Sequence, residues 1–279
     1  MTGTLYLVGT PIGNLGDITD RARQTLASVD LVAAEDTRRT GRLLAGLGIE
    51  ARMISFFEGN EADRIPQILE ALRGGSDVAV VSDAGMPGLS DPGYRLVAAC
   101  VDAGMSVDVI PGPSAVVSAL VVSGLPTDRY VFEGFLPRSG KARSQRLDAI
   151  AGEARTVVLF ESPRRVKATL SDLLAACGDR RVAVARELTK LHQEVIRGQL
   201  SETLERLGSR ELRGEVVLVI EGLGQDGRAS APNEEEAVRV AASLMRGGLR
   251  KKDAARQVSE LTGIPASRIY DRLVHARSD

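Results

Sequence analysis

The sequence predicts an α/β protein made of two α/β domains followed by a small helical extension. Short apolar runs alternate with segments of helical spacing from about residue 4 to residue 220. In the first two-fifths of the chain, this alternation is typical of a largely parallel sheet that helices cover on both faces. A stretch rich in small and polar residues then indicates a linker, and three short helical segments follow it. The predicted domains are residues 1–115, 116–224 and 234–279.

Four apolar runs of the first domain predict buried strands. These strands are expected at residues 5–8, 31–34, 78–81 and 107–110. The helices between them are expected at residues 19–28, 64–73 and 94–103. If the strands are parallel, their carboxyl ends share one edge of the sheet, which is where open α/β sheets bind ligands.

The same alternation begins again in the second domain. Its strands are expected at residues 130–135, 156–160, 181–185, 195–200 and 215–220, and its helices at residues 116–122 and 166–176. Residues 137–143 are expected to form a basic loop. The extension is expected to contain helices at residues 234–246, 250–261 and 266–276, with Asn233 as the cap of the first.

The composition indicates a cytoplasmic protein with reduced cysteines. No apolar stretch reaches the ~18 residues that span a bilayer, and the first residues do not resemble a signal peptide. Cys100 and Cys177 lie far apart, as structural thiols do. With two histidines and no Cys-x-x-Cys pair, we expect no transition-metal site. The net charge of −1 argues against a uniformly basic surface.

Three strands of the first domain end in loops of small residues, at residues 9–14, 82–85 and 111–115. Small residues allow a ligand to lie against backbone amides. One such loop could be an ordinary connection between a strand and a helix, but three at one edge predict a binding site. Neither the Gly-x-Gly-x-x-Gly fingerprint nor a Walker A loop is present. The expected ligand is therefore nucleotide-like and lacks a pyrophosphate.

Several runs of the sequence resemble one known family. In order, they are LYLVGTPIGNLGDIT, AAEDTRRTGRLL, VSDAGMPGLSDPG, VIPGPSAV, FEGFLPR, FESPRRV, ARELTKLHQE and GEVVLVIEG. They are similar to bacterial methyltransferases that modify a cytidine ribose of small-subunit (16S) ribosomal RNA. Those enzymes have the tetrapyrrole-methylase fold of the class III S-adenosylmethionine-dependent methyltransferases. The resemblance implies 2′-O-methylation with S-adenosylmethionine as methyl donor, and a homodimer. One departure is SFFEGNE at residues 55–61, which lacks the family's histidines.

The resemblance also implies which residues bind the donor. Pro11 matches the first loop, Asp83, Ala84 and Gly85 match the second, and Ser114 and Ala115 match the third. Phe160 and Glu161 are expected to cover the donor, and Ala185 and Ile220 to line its adenine. Asp91 is expected to fix a turn.

A charged cluster follows the strand at residues 181–185. A ribose hydroxyl is a poor nucleophile, so a base or a cation near it would speed methyl transfer. We expect Glu187 or Lys190 to assist removal of the hydroxyl proton and Arg186 to place a phosphate. The alternative is a solvated cluster with an ion pair across the domain interface.

Basic side chains at several places are candidates for phosphate contacts, which provide affinity rather than sequence choice. They are Arg38, Arg39, Arg138, Lys141, Arg143, Arg164, Arg165, Lys167, Lys251 and Lys252. Each could instead belong to a solvated face, and Arg38 and Arg39 could simply begin a helix. Two rival functions remain open at this point: a small-molecule tetrapyrrole methyltransferase of the same fold, and an RNA-binding module without activity.

Overall fold

The computed structural model describes residues 2–223, 234–246, 249–262 and 264–275. The first part of the chain forms one five-stranded sheet with helices between the strands. Its elements are β1 (Thr4–Val8), α1 (Asp20–Ser28), β2 (Leu31–Ala34), α2 (Thr37–Leu47), β3 (Met53–Ser55), α3 (Glu61–Arg73), β4 (Val78–Val81), α4 (Tyr94–Asp102) and β5 (Ser106–Ile110).

The strand order of this first sheet is β3-β2-β4-β1-β5, and every pairing is parallel. β4 is buried along its whole length because alternate side chains enter two different cores. Val78 and Val80 pack with Leu5 and Leu96, whereas Ala79 and Val81 pack in the cluster on the other face. The four predicted strands and the shared edge are confirmed. The alternative in which Arg38 and Arg39 begin a helix is the one observed in α2, while β3 was not predicted.

The second part of the chain begins with a helix and forms a second five-stranded sheet. Its elements are α5 (Ala115–Ser123), β6 (Tyr130–Phe135), α6 (Gly140–Gly152), β7 (Thr156–Glu161), α7 (Val166–Cys177), β8 (Arg181–Arg186), β9 (Glu194–Gln199), α8 (Leu200–Leu207) and β10 (Val216–Ile220). Helix α5 packs on this sheet, with Val116 and Leu120 against Val158 and Val217.

The second sheet is mixed. Its order is β6-β7-β10-β8-β9, and only β6 and β7 are parallel. β10 lies between β7 and β8 and runs antiparallel to both. Its amino-terminal end therefore lies beside the carboxyl ends of its neighbours, and this reversal decides which of its residues can reach a site at that edge.

The basic loop predicted at residues 137–143 is in part a helix, since α6 begins at Gly140. Its sequence carries little apolar periodicity, and the helix is held by tertiary contacts of Arg143 and Ile150 instead. Helix α8 was also not predicted, although a capping box of Gln199 and Glu202 opens it.

Three helices end the described chain: α9 (Glu234–Arg246), α10 (Lys251–Thr262) and α11 (Ala266–His275). Their predicted bounds differ from these by at most one residue. They share a core of their own, which includes Ala241, Ala254, Val258, Ile269 and Leu273. The predicted linker and the Asn233 cap lie outside the described residues. None of the described helices is long and apolar enough to cross a bilayer.

Candidate functional site

A cleft of about 350 Å³ lies between the two sheets, and we call it the central cleft. The loops that follow β4 and β5 form one side, and the end of β7 with the start of β10 forms the other. The second side depends on the antiparallel register, in which Val216 pairs with Glu161. Of the ten predicted donor-binding residues, seven line this cleft: Asp83, Ala84, Gly85, Ser114, Ala115, Phe160 and Glu161.

The loops of the first sheet are held together by backbone contacts. The Thr10 amide donates to the Gly85 carbonyl at 2.9 Å, and the Gly85 amide donates back at 3.1 Å. A Cβ at Gly112 would lie 2.8 Å from the Cα of Gly9, so both positions need glycine. Gly85 has a φ of 84°, a conformation that favours glycine as well. The three loops predicted from sequence thus form one connected wall.

Carboxylates dominate the polar lining of the central cleft. No Lys, Arg or His side chain lines it within the part of the chain that the structure describes. Five acidic residues line it: Glu35, Asp83, Asp91, Glu161 and Glu215. Such a lining favours a ligand that carries positive charge and repels phosphates.

Asp83 contacts two charged neighbours, Glu35 and Arg39. Its backbone amide donates to the Glu35 carboxylate at 3.0 Å, and its Oδ2 lies 3.1 Å from Arg39 Nη1. Its Oδ1 is buried and has no hydrogen-bond partner among the described residues. A buried carboxylate oxygen without a donor is costly, so this atom is available to a ligand in the cleft.

Asp91 is part of the same acidic lining, although the sequence predicted only a turn role for it. Burial, together with the smaller effect of the negative charge of Glu35, raises the pKa of Asp91 to about 6. Burial also raises the pKa of Glu35, against the hydrogen bond from the Asp83 backbone. Asp91 therefore changes charge near neutral pH.

Glu161 lines the cleft, but its carboxylate is bound from behind. Thr169 Oγ1 donates to one oxygen at 2.6 Å, and the Ser162 amide donates to the other at 2.7 Å. Arg165 lies 3.5 Å away. Glu161 thus fixes the turn after β7 and supplies a wall to the cleft.

Aromatic rings form the apolar side of the cleft. The Phe160 ring lies 4.9 Å from that of Phe132 and 5.5 Å from that of Phe135, measured between centroids. Phe160 and Phe135 both line the central cleft. Two adjacent rings there offer a surface on which a flat, apolar group can pack.

Three of the predicted donor-binding residues do not line the central cleft. Pro11 borders a neighbouring depression of about 230 Å³ that shares Asp83 with it. The predictions for Ala185 and Ile220 need correction, since both side chains are fully buried in the second sheet. Ile220 pairs with Val157 and Val182, at the far end of β10, because that strand runs opposite to its neighbours.

The charged cluster after β8 touches the cleft through Glu215. Lys190 Nζ lies 3.0 Å from Glu187 Oε1 and 3.2 Å from Glu215 Oε2. The Glu187 carboxylate also accepts from the Glu215 backbone amide at 3.1 Å. The Lys190 stem lies over Gly13, where a Cβ would be 2.4 Å from its Cγ. The loop after β8 is therefore packed against the loop after β1.

The contacts within this cluster stabilise the charged form of both side chains. Partial burial raises the pKa of Glu187, but the hydrogen bonds from Lys190 and Glu215 outweigh it and the pKa is lowered. Partial burial lowers the pKa of Lys190, but its bonds to Glu187 and Glu215 outweigh it and the pKa is raised. Lys190 is thus a cation and Glu187 an anion at neutral pH.

Arg186 is directed to a different neighbour. Its Nε lies 2.6 Å from Glu194 Oε2, and Arg210 binds the same carboxylate at 2.7 Å. Hydrogen bonds from Arg210 and Arg186 lower the pKa of Glu194 to about 2. The Arg186 side chain joins β8 to β9 and does not line the central cleft.

Two of the predicted phosphate-binding residues are internal supports, so those predictions need correction. Arg143 is 9% exposed and donates to Asp172 at 2.7 Å, to Thr169 at 3.0 Å and to a backbone carbonyl. Arg165 donates to the Leu136 carbonyl at 3.0 Å and approaches Glu161. Their donors are used within the fold because α6 and α7 pack against each other there.

The other basic candidates lie on the surface. Arg38 and Arg39 belong to the first turn of α2, which Asp36 caps. Lys251 donates to the Leu273 carbonyl and lies 6.0 Å from the centroid of the Tyr270 ring. Arg38 and Arg39 are exposed, and so are four further candidates: Arg138, Lys141, Arg164 and Lys252.

The family of tetrapyrrole (corrin/porphyrin) methylases matches residues 4–204, which is most of the chain. The chain belongs to the tetrapyrrole methylase family. The family resemblance and the fold class predicted from the sequence are both confirmed.

Three relatives of this tetrapyrrole methylase carry the same name, ribosomal RNA small subunit methyltransferase I. The protein from Synechocystis is 46% identical over 99% of both chains. The protein from Mycobacterium tuberculosis (strain CDC 1551) is 44% identical over 100% of this chain and 97% of its own length. The protein from Thermotoga maritima is 52% identical over 79% of this chain and 99% of its own length. The relatives therefore include a chain about a fifth shorter.

Solved structures of tetrapyrrole methylases share the fold at much lower identity. A cobalt precorrin-4 methyltransferase has a TM-score of 0.57 at 17% identity, and the match covers 78% of this chain and 94% of that one. The uroporphyrin-III C-methyltransferase of Thermus thermophilus in complex with S-adenosyl homocysteine has a TM-score of 0.57 at 20% identity, with 78% and 97% covered.

Several residues that line the central cleft of this tetrapyrrole methylase were not predicted from the sequence. Glu35 follows β2 directly, so its position at the carboxyl end of a parallel strand could have identified it. Phe135 ends β6, which is parallel to β7. Its position at the carboxyl end of a parallel strand could have identified it in the same way. Glu215 precedes β10, and nothing local in the sequence reveals that this strand is reversed.

Proposed function

We propose that this chain is an S-adenosylmethionine-dependent methyltransferase that 2′-O-methylates the ribose of a cytidine in small-subunit ribosomal RNA. One observation carries the proposal. Relatives named ribosomal RNA small subunit methyltransferase I are 44–52% identical to this chain over 79–100% of its length. The solved tetrapyrrole methylases resemble this chain in fold alone. No observation therefore favours a tetrapyrrole as its substrate.

The central cleft fits the proposed donor in size and charge. Its volume of about 350 Å³ lies within the range of small-molecule pockets. S-adenosylmethionine has a cationic sulfonium and a cationic amino group, and the cleft is lined by acidic residues, with no Lys, Arg or His among the described lining residues. The unpartnered Oδ1 of Asp83 supplies an acceptor for one of its donors.

We assign the donor-binding roles as follows. Asp83 and Asp91 accept hydrogen bonds and balance the positive charge, and Phe160 and Phe135 pack against the apolar surface. Ala84, Gly85, Ser114 and Ala115 leave room beside the backbone. When bound, the donor supplies a methyl group on a sulfonium that is already activated for in-line displacement.

For the acceptor, we assign Lys190 as the group that stabilises charge on the ribose oxygen. A protonated lysine cannot take a proton, and Glu187 with a lowered pKa is a weak base. Glu187 therefore orients Lys190, which lies next to the cleft-lining Glu215. A cation placed where negative charge develops lowers the barrier to transfer. The hydroxyl proton would then be released to solvent water, since neither charged side chain accepts it.

The substrate proposal is tested by mass spectrometry of ribosomal RNA nucleosides from cells with and without the gene. We expect one 2′-O-methylcytidine to disappear when the gene is removed and to return when it is restored. In vitro, purified small subunits should accept methyl groups and a porphyrin precursor should not. Unchanged nucleosides, or transfer to the precursor alone, would reject the proposal.

The role of Lys190 is tested by single-turnover methyl transfer with saturating RNA. Lys190→Ala should lower the rate by ~10²–10³-fold, the range for loss of one preorganised charge-stabilising donor. Lys190→Arg keeps the charge and should recover part of the rate, and Glu187→Gln should have an intermediate effect. If the alanine variant keeps a near-normal rate, Lys190 has no catalytic role.

We also propose a homodimer in the cytoplasm. Exposed apolar residues on the edge strand β5 and on α5 support self-association, since Val109, Val117 and Val121 are 46%, 47% and 63% exposed. Sedimentation equilibrium of the purified protein tests this proposal, and a monomer at micromolar concentration would reject it.

A further inference from the structure

A second concave site lies next to the central cleft, and we call it the basic pocket. Its volume is about 450 Å³, and it is formed by the turn between β7 and α7 and by the segment before β10. Pro163 borders both sites, and Gly214 of the central cleft directly follows Arg213 of the basic pocket. A ligand in one site is therefore adjacent to a ligand in the other.

The charge of the basic pocket is opposite to that of the central cleft. Arg164, Lys167, Arg210 and Arg213 line it, and Glu211 is the one carboxylate among the described lining residues. Arg210 is bound to Glu194, and Lys167 donates to the neutral carbonyl of Gly208 at 2.7 Å. The pocket therefore retains a net positive charge.

Two of these cations are uncommitted. Arg164 and Arg213 are exposed, and neither has a side-chain hydrogen bond or an ion pair within residues 2–223 or the described helices beyond them. Exposed guanidinium groups in a concavity present forked donors that match a phosphate. The guanidinium groups of Arg164 and Arg213 are therefore able to bind a phosphate from outside the protein.

The opposite charges of the two sites restrict where the backbone of a bound nucleic acid can lie. A phosphate entering the central cleft would meet an acidic lining, whereas a phosphate in the basic pocket would meet the guanidinium groups of Arg164 and Arg213. We infer that the basic pocket binds a backbone phosphate of the RNA next to the ribose that is methylated. This inference rests on the proposed function, and it adds Arg213 to the residues expected to contact RNA.

The test compares two double variants that each remove two positive charges. Arg164→Ala/Arg213→Ala removes the uncommitted cations of the basic pocket. Arg23→Ala/Arg73→Ala is the matched control, because both arginines are exposed on helices of the first sheet and their side chains have no partner among the described residues. Thermal unfolding and S-adenosylmethionine binding by calorimetry should match wild type for both.

We expect the pocket variant to raise the KM for small ribosomal subunits by ~10-fold or more, and to reduce the slope of log K against log salt by about 1 per lost phosphate contact. The control should change each quantity by less than twofold. Arg164→Lys/Arg213→Lys should recover most of the salt slope, since it keeps the charge.

Equal behaviour of the pocket and control variants overturns the inference, even if wild type methylates RNA. Inorganic phosphate provides a second arm at constant ionic strength. If phosphate binds wild type and the pocket variant loses that binding without any change in RNA affinity, the pocket is a small-anion site and the inference is wrong. If wild type transfers no methyl group to RNA, it is the proposed function that fails.

Discussion

Asp91 shows at the scale of one residue how the central cleft acquires its electrostatic character. It lies partly buried beside Glu35, and burial with that neighbouring charge raises its pKa to about 6. Above that pH the carboxylate is ionised and favours a cationic ligand, and below it the group is neutral. The affinity of the cleft for a cation should therefore depend on pH.

We expect S-adenosylmethionine binding to weaken by about tenfold per pH unit at most as the pH falls below 6, because Asp91 then loses its charge. Calorimetry between pH 5 and pH 8 measures this. Asp91→Asn should bind more weakly at pH 7 and should show a flatter profile, whereas Asp63→Asn, on the exposed side of α3, should follow wild type. A profile of Asp91→Asn parallel to wild type would remove Asp91 from the donor site.

Arg143 illustrates a residue whose charge has a structural role. We expect Arg143→Met to lower the free energy of unfolding by roughly 1–3 kcal/mol, because it leaves Thr169 Oγ1 without its donor and removes one of the two donors to the Pro137 carbonyl. Asp172 can regain water, since its side chain is 44% exposed. Arg138→Met is the control and should stay within about 0.5 kcal/mol. Urea unfolding decides, and equal midpoints for the two variants would contradict the role of Arg143.

The wall of loops is the feature that matters at the scale of elements. β1 and β5 are neighbours in the sheet, so the loops that follow them approach backbone to backbone. The Thr10–Gly85 bridge joins the loop after β4 to the same wall. This wall of the cleft therefore depends on Gly9 and Gly112, which do not line the central cleft themselves.

We expect Gly112→Ala to weaken S-adenosylmethionine binding by at least tenfold and to destabilise the fold by about 1–3 kcal/mol. Its Cβ would lie within 2.8–2.9 Å of the Cα, C and O atoms of Gly9, and backbone atoms cannot move aside as a side chain can. Gly152→Ala, where no atom lies within 4 Å of the new Cβ, is the control. Calorimetry and urea unfolding measure both effects. If Gly112→Ala binds S-adenosylmethionine with wild-type affinity, the close approach of Gly9 and Gly112 is not needed for binding.

The arrangement of the whole molecule separates a catalytic body from a helical extension. α9, α10 and α11 form a core to which no residue of the two sheets belongs, within the described part of the chain. The Thermotoga maritima relative matches 79% of this chain over 99% of its own length. A relative of the same name therefore exists with a shorter chain.

We expect a chain that ends after residue 223 to fold and to bind S-adenosylmethionine with an affinity within threefold of the full chain. Its affinity for small ribosomal subunits should fall and its salt slope should decrease, because the exposed Lys252 and its basic neighbours are lost. Calorimetry and subunit binding at several salt concentrations test this. Loss of donor binding on truncation would show that the extension completes the central cleft.

Much of the first sheet could be predicted because buried parallel strands are continuous apolar runs. The runs at residues 31–34 and 78–81 are strands with those bounds. The three loops could be predicted for a related reason, since parallel strands bring their carboxyl ends to one edge. Helix α6 could not be predicted in this way. Its buried Arg143 is paired with Asp172, which lies 29 residues further along the chain.

The amino-acid sequence was sufficient to predict the fold class and, through its resemblance to known enzymes, the family. It also predicted the loops that form one wall of the central cleft, since apolar runs, small residues and turn residues are local properties. Which charges meet depends instead on the tertiary structure. The reversal of β10 places Val216, and not Ile220, at the cleft. It also brings Glu215 to Lys190 and sets the acidic cleft beside the basic pocket. Strand direction and long-range ion pairs arise from packing, and the local pattern of residues does not contain them.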